Sequence, residues 1–188
     1  MESEGNMPDI IAGVSGAAKH WLSRIPGLGE ALAGYDEYTR KSFRIEADTS
    51  ITGVRVVRIL NETALKEGLP EIIMIDNGPE FIGRALDEWA YRRGVKLFFI
   101  TPGRPVENMY MESFNGRLRD ECLNLHYFTS LDHARQVIED WRVDYNTERP
   151  HSSLDNLTPE EFIRKLKEKT PTAITVGNVS INAGYPTS

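Results

Sequence analysis

The 188-residue sequence contains a single cysteine, Cys122, which excludes an intramolecular disulfide. It also lacks an apolar run long enough to span a bilayer, since the longest candidate, 10–18, ends at Lys19-His20. The first four residues are acidic overall, where a secretory signal would be positively charged. These absences predict a cytoplasmic protein without a membrane partner. The length of the chain is sufficient for one domain with appendages.

Basic residues are outnumbered by acidic ones over the chain as a whole, 22 against 28. The net charge of −6 argues against a general nucleic-acid coating protein, because backbone binding depends mainly on Lys and Arg at phosphates. The distribution is uneven, however. Residues 1–37 hold six acidic and two basic side chains, whereas 84–119 hold seven basic and four acidic ones. The second range predicts a DNA-facing surface, with a solvated helix face as the alternative for any single residue.

Strand and helix patterns alternate from Phe43 onward. Residues 43–47 alternate as a half-buried strand does, 72–75 form a short apolar run typical of a buried strand, and 95–100 predict a third strand. Amphipathic helices are predicted between and after these strands. We therefore predict an α/β domain with parallel strands, whose functional residues gather at the carboxyl ends of strands.

Two local motifs stand out. Asp76 opens the segment DNGPEF at the end of a predicted buried strand, and Glu112 opens ESFNGRLRDE within a predicted helix. Taken alone, the first is a turn and the second a solvated helical glutamate. A third segment, 144–154, reads DYNTERPHSSL and is followed by TPEEF at 158–162. The helix of Glu112 is predicted to bury one face, formed by Phe114, Leu118, Cys122 and Leu125.

Together, the three segments resemble the D-D-E catalytic core of bacterial insertion-sequence transposases and retroviral integrases, over about residues 35–168. The resemblance implies a ribonuclease-H-like integrase core, a mixed sheet flanked by helices. It implies that Asp76 and Glu112 are the second and third catalytic carboxylates and ligands of two Mg²⁺ or Mn²⁺ ions. Such ions stabilise the attacking and leaving oxygens during phosphodiester cleavage and strand transfer.

The partner implied by the resemblance is double-stranded DNA, both the ends of an insertion element and a target. A second copy of the chain or an intact transposase is the expected protein partner. The residues predicted to contact DNA are Arg92, Arg93, Lys96, Arg104, Asn115, Arg117, Arg119 and His151.

The sequence departs from the family pattern upstream. The resemblance places a first Asp on the first strand, and counting back from Asp76 leads to residues 13–17, which read Gly-Val-Ser-Gly-Ala. We therefore expect the domain to lack its normal first strand, with a truncated or replaced start. Three alternatives follow: residues 10–14 substitute for that strand, another chain does, or the domain is damaged.

The predicted organisation has three parts. Residues 1–34 are an atypical segment, and its stretch 17–34 resembles a helix broken at Pro26-Gly27. Residues 35–168 are a partial catalytic core. Residues 169–188 are a tail that has no charged side chain from Thr170 on and forms either a small hairpin or a disordered end. Three functions stay open. They are an active transposase, a catalytically silent remnant that binds DNA or an intact transposase, and an unrelated metal-dependent hydrolase.

Overall fold

A computed structural model describes residues 10–13, 30–75, 81, 83–100 and 109–169, with 10–13, 30 and 169 described by their backbone alone. The strands are β1 Ile10–Gly13, β2 Glu30–Asp36, β3 Ser42–Asp48, β4 Ile72–Ile75 and β5 Lys96–Phe99. The helices are α1 Gly53–Glu67, α2 Arg84–Arg93, α3 Met109–Leu118, α4 Leu131–Thr147 and α5 Pro159–Lys169. None of the described helices has the length and apolar character needed to cross a membrane.

The strands form one sheet in the order β3-β2-β1-β4-β5. β1 runs antiparallel to β2 and parallel to β4, while β3 continues the antiparallel side and β5 the parallel side. The sheet is therefore mixed and flanked by helices, as the predicted ribonuclease-H-like fold requires.

The central place in this sheet is occupied by β1. Ile10 pairs with Asp36 of β2 on one side and with Ile73 of β4 on the other. Residues 10–13 lie between β2 and β4, the place that the first of the three alternatives gives them, while the lack of the family's normal first strand stays a prediction. The physical reason for this place is that an apolar run can pair both neighbours and so satisfy backbone groups that an empty place would leave unpaired.

The start of β2 corrects an expectation. Residues 30–34 belong to a strand and not to the broken helix that we predicted over 17–34; residues 14–29 lie outside the described part of the chain. Ala31, Ala33 and Tyr35 enter one hydrophobic core, whereas Leu32 enters the other. This alternation has the period of a strand, which explains why a helical pattern did not hold here.

The sheet separates two hydrophobic cores. On one face Leu32, Ile73 and Ile75 pack against α1 and α2, whose buried residues include Val56 and Trp89. On the other face α3 and α4 contribute Met111, Phe114, Leu118, Ala134, Ile138, Trp141 and Tyr145 to a core that is rich in aromatic rings. Because α2 and α3 lie on opposite faces, the side chains that they carry belong to different surfaces.

Side chains and glycine define several helix ends. The Thr52 side chain accepts a hydrogen bond from the Arg55 N–H at the start of α1. Thr158 and Glu161 form a reciprocal capping box at the start of α5, with bonds of 3.2 and 2.9 Å. Gly94, which follows α2, has a φ of 69°, a left-handed conformation that glycine adopts without strain.

α3 continues into a π-helical turn, Arg119–Leu123. The predicted buried face is confirmed for Phe114, Leu118 and Cys122, and burial raises the pKa of the Cys122 thiol to about 12. The prediction was wrong for Leu125, which is exposed. The π turn inserts an extra residue into the helical repeat and the helix then ends, so the spacing no longer carries Leu125 to the core.

Candidate nucleic-acid and metal site

Glu112 lies in the first turn of α3. The neighbouring Met111 and Phe114 are buried and hold this turn against the sheet, whereas Glu112 is exposed. Its carboxylate makes no hydrogen bond or ion pair within the described part of the chain. An acidic side chain at this end of a helix is favoured by the helix dipole. Glu112 therefore presents an uncommitted carboxylate to solvent, which is the form in which a carboxylate can take up a hard cation.

Asn115 follows Glu112 by three residues, so both side chains fall on one side of α3. Asn115 is partly buried, and its Nδ2 atom is enclosed without a hydrogen-bond partner among the residues that the structure describes. An unmade hydrogen bond at a buried donor costs about 1–3 kcal/mol. This side of the helix thus combines a free carboxylate with a donor that lacks an acceptor.

The other predicted metal ligand, Asp76, lies outside the described residues, as does Arg104. β4 is described up to Ile75, the residue that precedes Asp76. Its parallel neighbour β1 has the sequence IIAG and so supplies no carboxylate. Among the described residues, no three His, Cys, Asp or Glu side chains gather as a metal-binding group. These residues therefore do not complete a site for two metal ions.

Asp36 is an acidic residue that pairs with Ile10 of β1, and several of its contacts lie within the turn that follows β2. It is fully buried at the end of β2, and its oxygens accept hydrogen bonds from the backbone N–H of Tyr38 at 3.1 Å, the backbone N–H of Thr39 at 3.2 Å, and the Thr39 hydroxyl. Such bonds close a tight turn between strands. Asp36 thus holds the turn from β2 to β3.

Three of the predicted DNA contacts lie away from α3. Arg92 and Arg93 end α2, on the opposite face of the sheet, and Lys96 begins the edge strand β5. Arg92 lies 3.7 Å from a carboxylate oxygen of Glu88, and Arg93 donates to the Asn61 side chain at 3.0 Å. The structure therefore does not bring these three basic residues together with Glu112.

Arg117 and Arg119 stay close to Glu112 along the chain but differ in their contacts. Arg117 is exposed and makes no ion pair with any described residue. Arg119 lies in the π turn and its Nε donates to Asp120 at 2.8 Å, a contact that lowers the pKa of the Asp120 carboxyl. The charge of Arg117 is therefore available to a ligand, while that of Arg119 is partly neutralised.

His151 lies beside the same helix layer. Its ring packs edge-on against Tyr145 with centroids 4.9 Å apart, and only 6% of the residue is exposed. Burial, and then the charges of Arg117, Arg149 and Arg40, lower the pKa of His151 to about 4. The neutral imidazole is thus the stable form near pH 7, with its Nε2 enclosed and unpartnered among the described residues.

Arg40 was not among the residues predicted to contact DNA. It lies in the turn between β2 and β3 with a φ of 62°, and its guanidinium stacks 3.8 Å from the centroid of the Tyr110 ring in the first turn of α3. Its Nε donates to the Ser153 hydroxyl at 3.2 Å. No local sequence pattern could have identified Arg40 as a site residue, because its partners are distant in sequence. The one local signal is its position directly after Thr39, which marks it as a turn residue.

Comparison with known proteins agrees with this architecture. Two family models, both described as "Integrase core domain", match residues 31–105 and 93–159, and together they span the sheet from β2 onward and α1 to α4. A protein of the insertion element IS407 of Burkholderia multivorans is 50% identical over 136 residues, which are 72% of this chain and 49% of that protein.

The chain belongs to the insertion-sequence transposases of the retroviral integrase superfamily.

Two further relatives support this placement in the integrase core family. A protein of the insertion element IS476 of Xanthomonas euvesicatoria is 48% identical over 133 residues, covering 71% of this chain and 38% of that protein. The transposase of the insertion sequence IS904 of Lactococcus lactis is 28% identical over 92 residues, 48% of this chain and 36% of that protein. The chain thus spans about half or less of the length of these relatives.

Proposed function

We propose that this integrase core binds double-stranded DNA in the transposition of an insertion element but does not cleave it unaided. The observation that carries the proposal is the sequence IIAG of β1, the strand beside β4. In the family this strand bears the first carboxylate. Without it, Asp76 and Glu112 are the two remaining members of the D-D-E set.

Binding to DNA is supported by the family, whose activity is DNA transposition, and by the surface of α3. The helix exposes Glu112 and Arg117 and leaves the Nδ2 atom of Asn115 without a hydrogen-bond partner among the described residues. Hydrogen-bond donors and cations of this kind position a protein on phosphates. Arg92, Arg93, Lys96 and Arg104 remain candidate contacts, and those on α2 would reach DNA only from the other face of the sheet.

Two metal ions, when bound in such a core, supply stabilisation of the attacking and leaving oxygens. Hard cations of this kind need several oxygen ligands, and Mg²⁺ favours an octahedral set. Glu112 offers one exposed carboxylate, and Asp76 is the other candidate ligand. The residues present thus fit a full site only if a further carboxylate is supplied.

The first experiment compares DNA retention with DNA cleavage. Purified protein is incubated with duplexes that carry element ends, with and without Mn²⁺, in parallel with Glu112→Gln. We expect both proteins to retain the duplex and neither to nick it. Nicking by the parent that disappears in Glu112→Gln would overturn the proposal and establish an active enzyme.

The second candidate function is a transposase that becomes active when another carboxylate completes the site. It is favoured by the uncommitted state of Glu112 and by the register of β1, in which Ile10 pairs with Ile73 and Ile11 with Met74. Gly13 is the last residue of β1, the strand beside β4. We therefore expect Gly13→Asp to gain Mn²⁺-dependent nicking, and Gly13→Asp combined with Glu112→Gln to lose it again.

A further inference from the structure

The surroundings of His151 hold polar groups that lack acceptors. The backbone of His151 is fully engaged, since its N–H donates to Leu157 at 3.0 Å and its carbonyl accepts from Leu154 and Asn156. The ring, in contrast, keeps Nε2 enclosed without a partner among the described residues. Buried polar atoms are nearly always hydrogen-bonded, so an unpartnered one points to a ligand or water that completes it.

Arg40 shows the same deficit at the same place. Its Nε is bound to the Ser153 hydroxyl and its guanidinium is stacked on Tyr110, but its Nη1 is enclosed without an acceptor in the described part of the chain. Its backbone φ of 62° lies in the left-handed region, which a residue with a long side chain rarely adopts. Such conformations persist where the surrounding structure requires them, and functional sites are the usual place.

The charges around these two residues do not cancel. The guanidinium groups of Arg40, Arg117 and Arg149 all act electrostatically on His151. Arg149 is paired with Glu121, but Arg40 and Arg117 form no ion pair with a described carboxylate. Elsewhere most described arginines are paired, among them Arg44, Arg55, Arg58, Arg84, Arg119, Arg135 and Arg142. The surplus of positive charge beside His151 is therefore local.

We propose that Arg40, Arg117 and Arg149, together with His151, form a binding site for a backbone phosphate of DNA. The proposal rests on the proposed DNA-binding function and names the surface on which it acts. A guanidinium presents paired donors that match phosphate oxygens, and the three groups approach from the turn after β2, from α3 and from the loop after α4. Phosphate oxygens would give acceptors to Arg40 Nη1 and to the Nε2–H of a neutral His151 ring in that tautomer.

The test measures how binding of a duplex without specific sequence depends on salt. Removal of one phosphate contact makes the negative slope of log affinity against log salt shallower by about 1 and weakens binding about tenfold. We expect this for Arg40→Ala and for Arg117→Ala. Arg117 is exposed and unpaired, so its substitution keeps the test open if Arg40→Ala fails to fold. Arg40→Lys should keep the salt slope but bind DNA more weakly, because lysine retains the positive charge and lacks the paired N–H donors of a guanidinium.

The matched control is Arg58→Ala, which removes the same charge from α1 on the opposite face of the sheet and should leave both slope and affinity unchanged. Parent-like slopes in folded Arg40→Ala and Arg117→Ala would overturn the site while DNA binding by the chain stands. A parent that does not bind duplex DNA would overturn the DNA-binding function and the site with it.

Inorganic phosphate alone separates the two sources of the anion. Thermal unfolding of the parent, Arg117→Ala and Arg58→Ala is recorded with and without phosphate at constant ionic strength. A phosphate-dependent shift in the parent that decreases in Arg117→Ala, together with the DNA result, supports a backbone-phosphate site. The same shift without an effect of Arg117→Ala on DNA binding would mean a site for a free anion and would overturn the proposal.

Discussion

Two arginine-rich regions of this molecule use the same side chain differently. Along the edge strand β3, Arg44 bridges Glu46 and Glu62, and Arg142 pairs with Glu139. Arg58 and Arg44 hold the pKa of the Glu62 carboxyl down to about 2. Around His151, in contrast, Arg40 and Arg117 have no carboxylate partner in the described structure. At the β3 edge, carboxylates neutralise the arginine side chains. Around His151, the charges of Arg40 and Arg117 are not neutralised by any described carboxylate.

The two regions also differ in what supports them. The surroundings of His151 rest on a continuous group of rings, in which Phe114 lies 4.9 Å from Tyr35, 5.2 Å from Tyr145 and 5.7 Å from Trp141, measured between centroids. The β3 edge rests on ion pairs and on side chains bound to the strand backbone, such as Arg135 on the carbonyl of Ala47 at 2.9 Å. Apolar burial stabilises the surroundings of His151, and polar contacts stabilise the β3 edge.

The largest loss of stability is expected when a ring is removed from the aromatic group around Phe114. Phe114→Ala removes a ring that is 1% exposed and leaves a cavity beneath α3, which should cost about 3–5 kcal/mol of unfolding free energy. Urea unfolding followed by circular dichroism measures the change. The matched control is Phe98→Ala on β5, which is 46% exposed and should cost far less. Equal losses for both variants would show that the rings do not support this region.

The next effect concerns the β3 edge. Asn146 is buried, accepts the Ser42 N–H at 2.9 Å and donates to the Ser42 carbonyl at 2.8 Å. Asn146→Ala leaves both backbone groups without these bonds, so we expect a loss of about 1–3 kcal/mol by the same urea assay. The exposed Asn124→Ala serves as the control. Unchanged stability of Asn146→Ala would mean that water replaces the amide without cost.

A pH dependence is expected from His151. Its pKa is 6.5 when unfolded and about 4 in the native protein, so between these values the unfolded chain binds a proton that the native chain does not. Stability should therefore fall as the pH falls from 6.5 towards 4. His151→Gln should flatten this part of the curve of urea midpoint against pH, while His133→Gln controls for the substitution of an exposed histidine. A parallel fall in all three proteins would assign the effect to other groups.

Much of the fold could be predicted because its patterns are local. The apolar run of β4 and the amphipathic pattern of α4 each lie within one short stretch of chain, and the structure confirms them. The π turn after α3 could not be predicted, since it depends on how the helix meets the core, and it leaves Leu125 exposed.

The site divides in the same way. Glu112 and its helix followed from a local motif, and the structure places that carboxylate free on the surface. Arg40 could not be found, because its contacts with Tyr110 and Ser153 join segments that are far apart in the chain. The basic residues 92–96 are close to Glu112 in sequence but lie across the sheet or at its far edge, which only the topology reveals.

The smallest effect tests whether the polar support near the β3 edge is as weak per contact as surface ion pairs usually are. Arg58 on α1 is 65% exposed and pairs with Glu62 across one helical turn at 2.8 Å. Arg58→Ala should cost about 0.3–0.5 kcal/mol, and high salt should reduce even this loss, because the pair is screened by solvent ions. A double-mutant cycle with Glu62→Ala isolates the pair from other contacts. A coupling larger than that of an ordinary surface pair would mean that Arg44, Glu62 and Arg58 act as one network, and the contrast with the unpaired arginines around His151 would then be sharper.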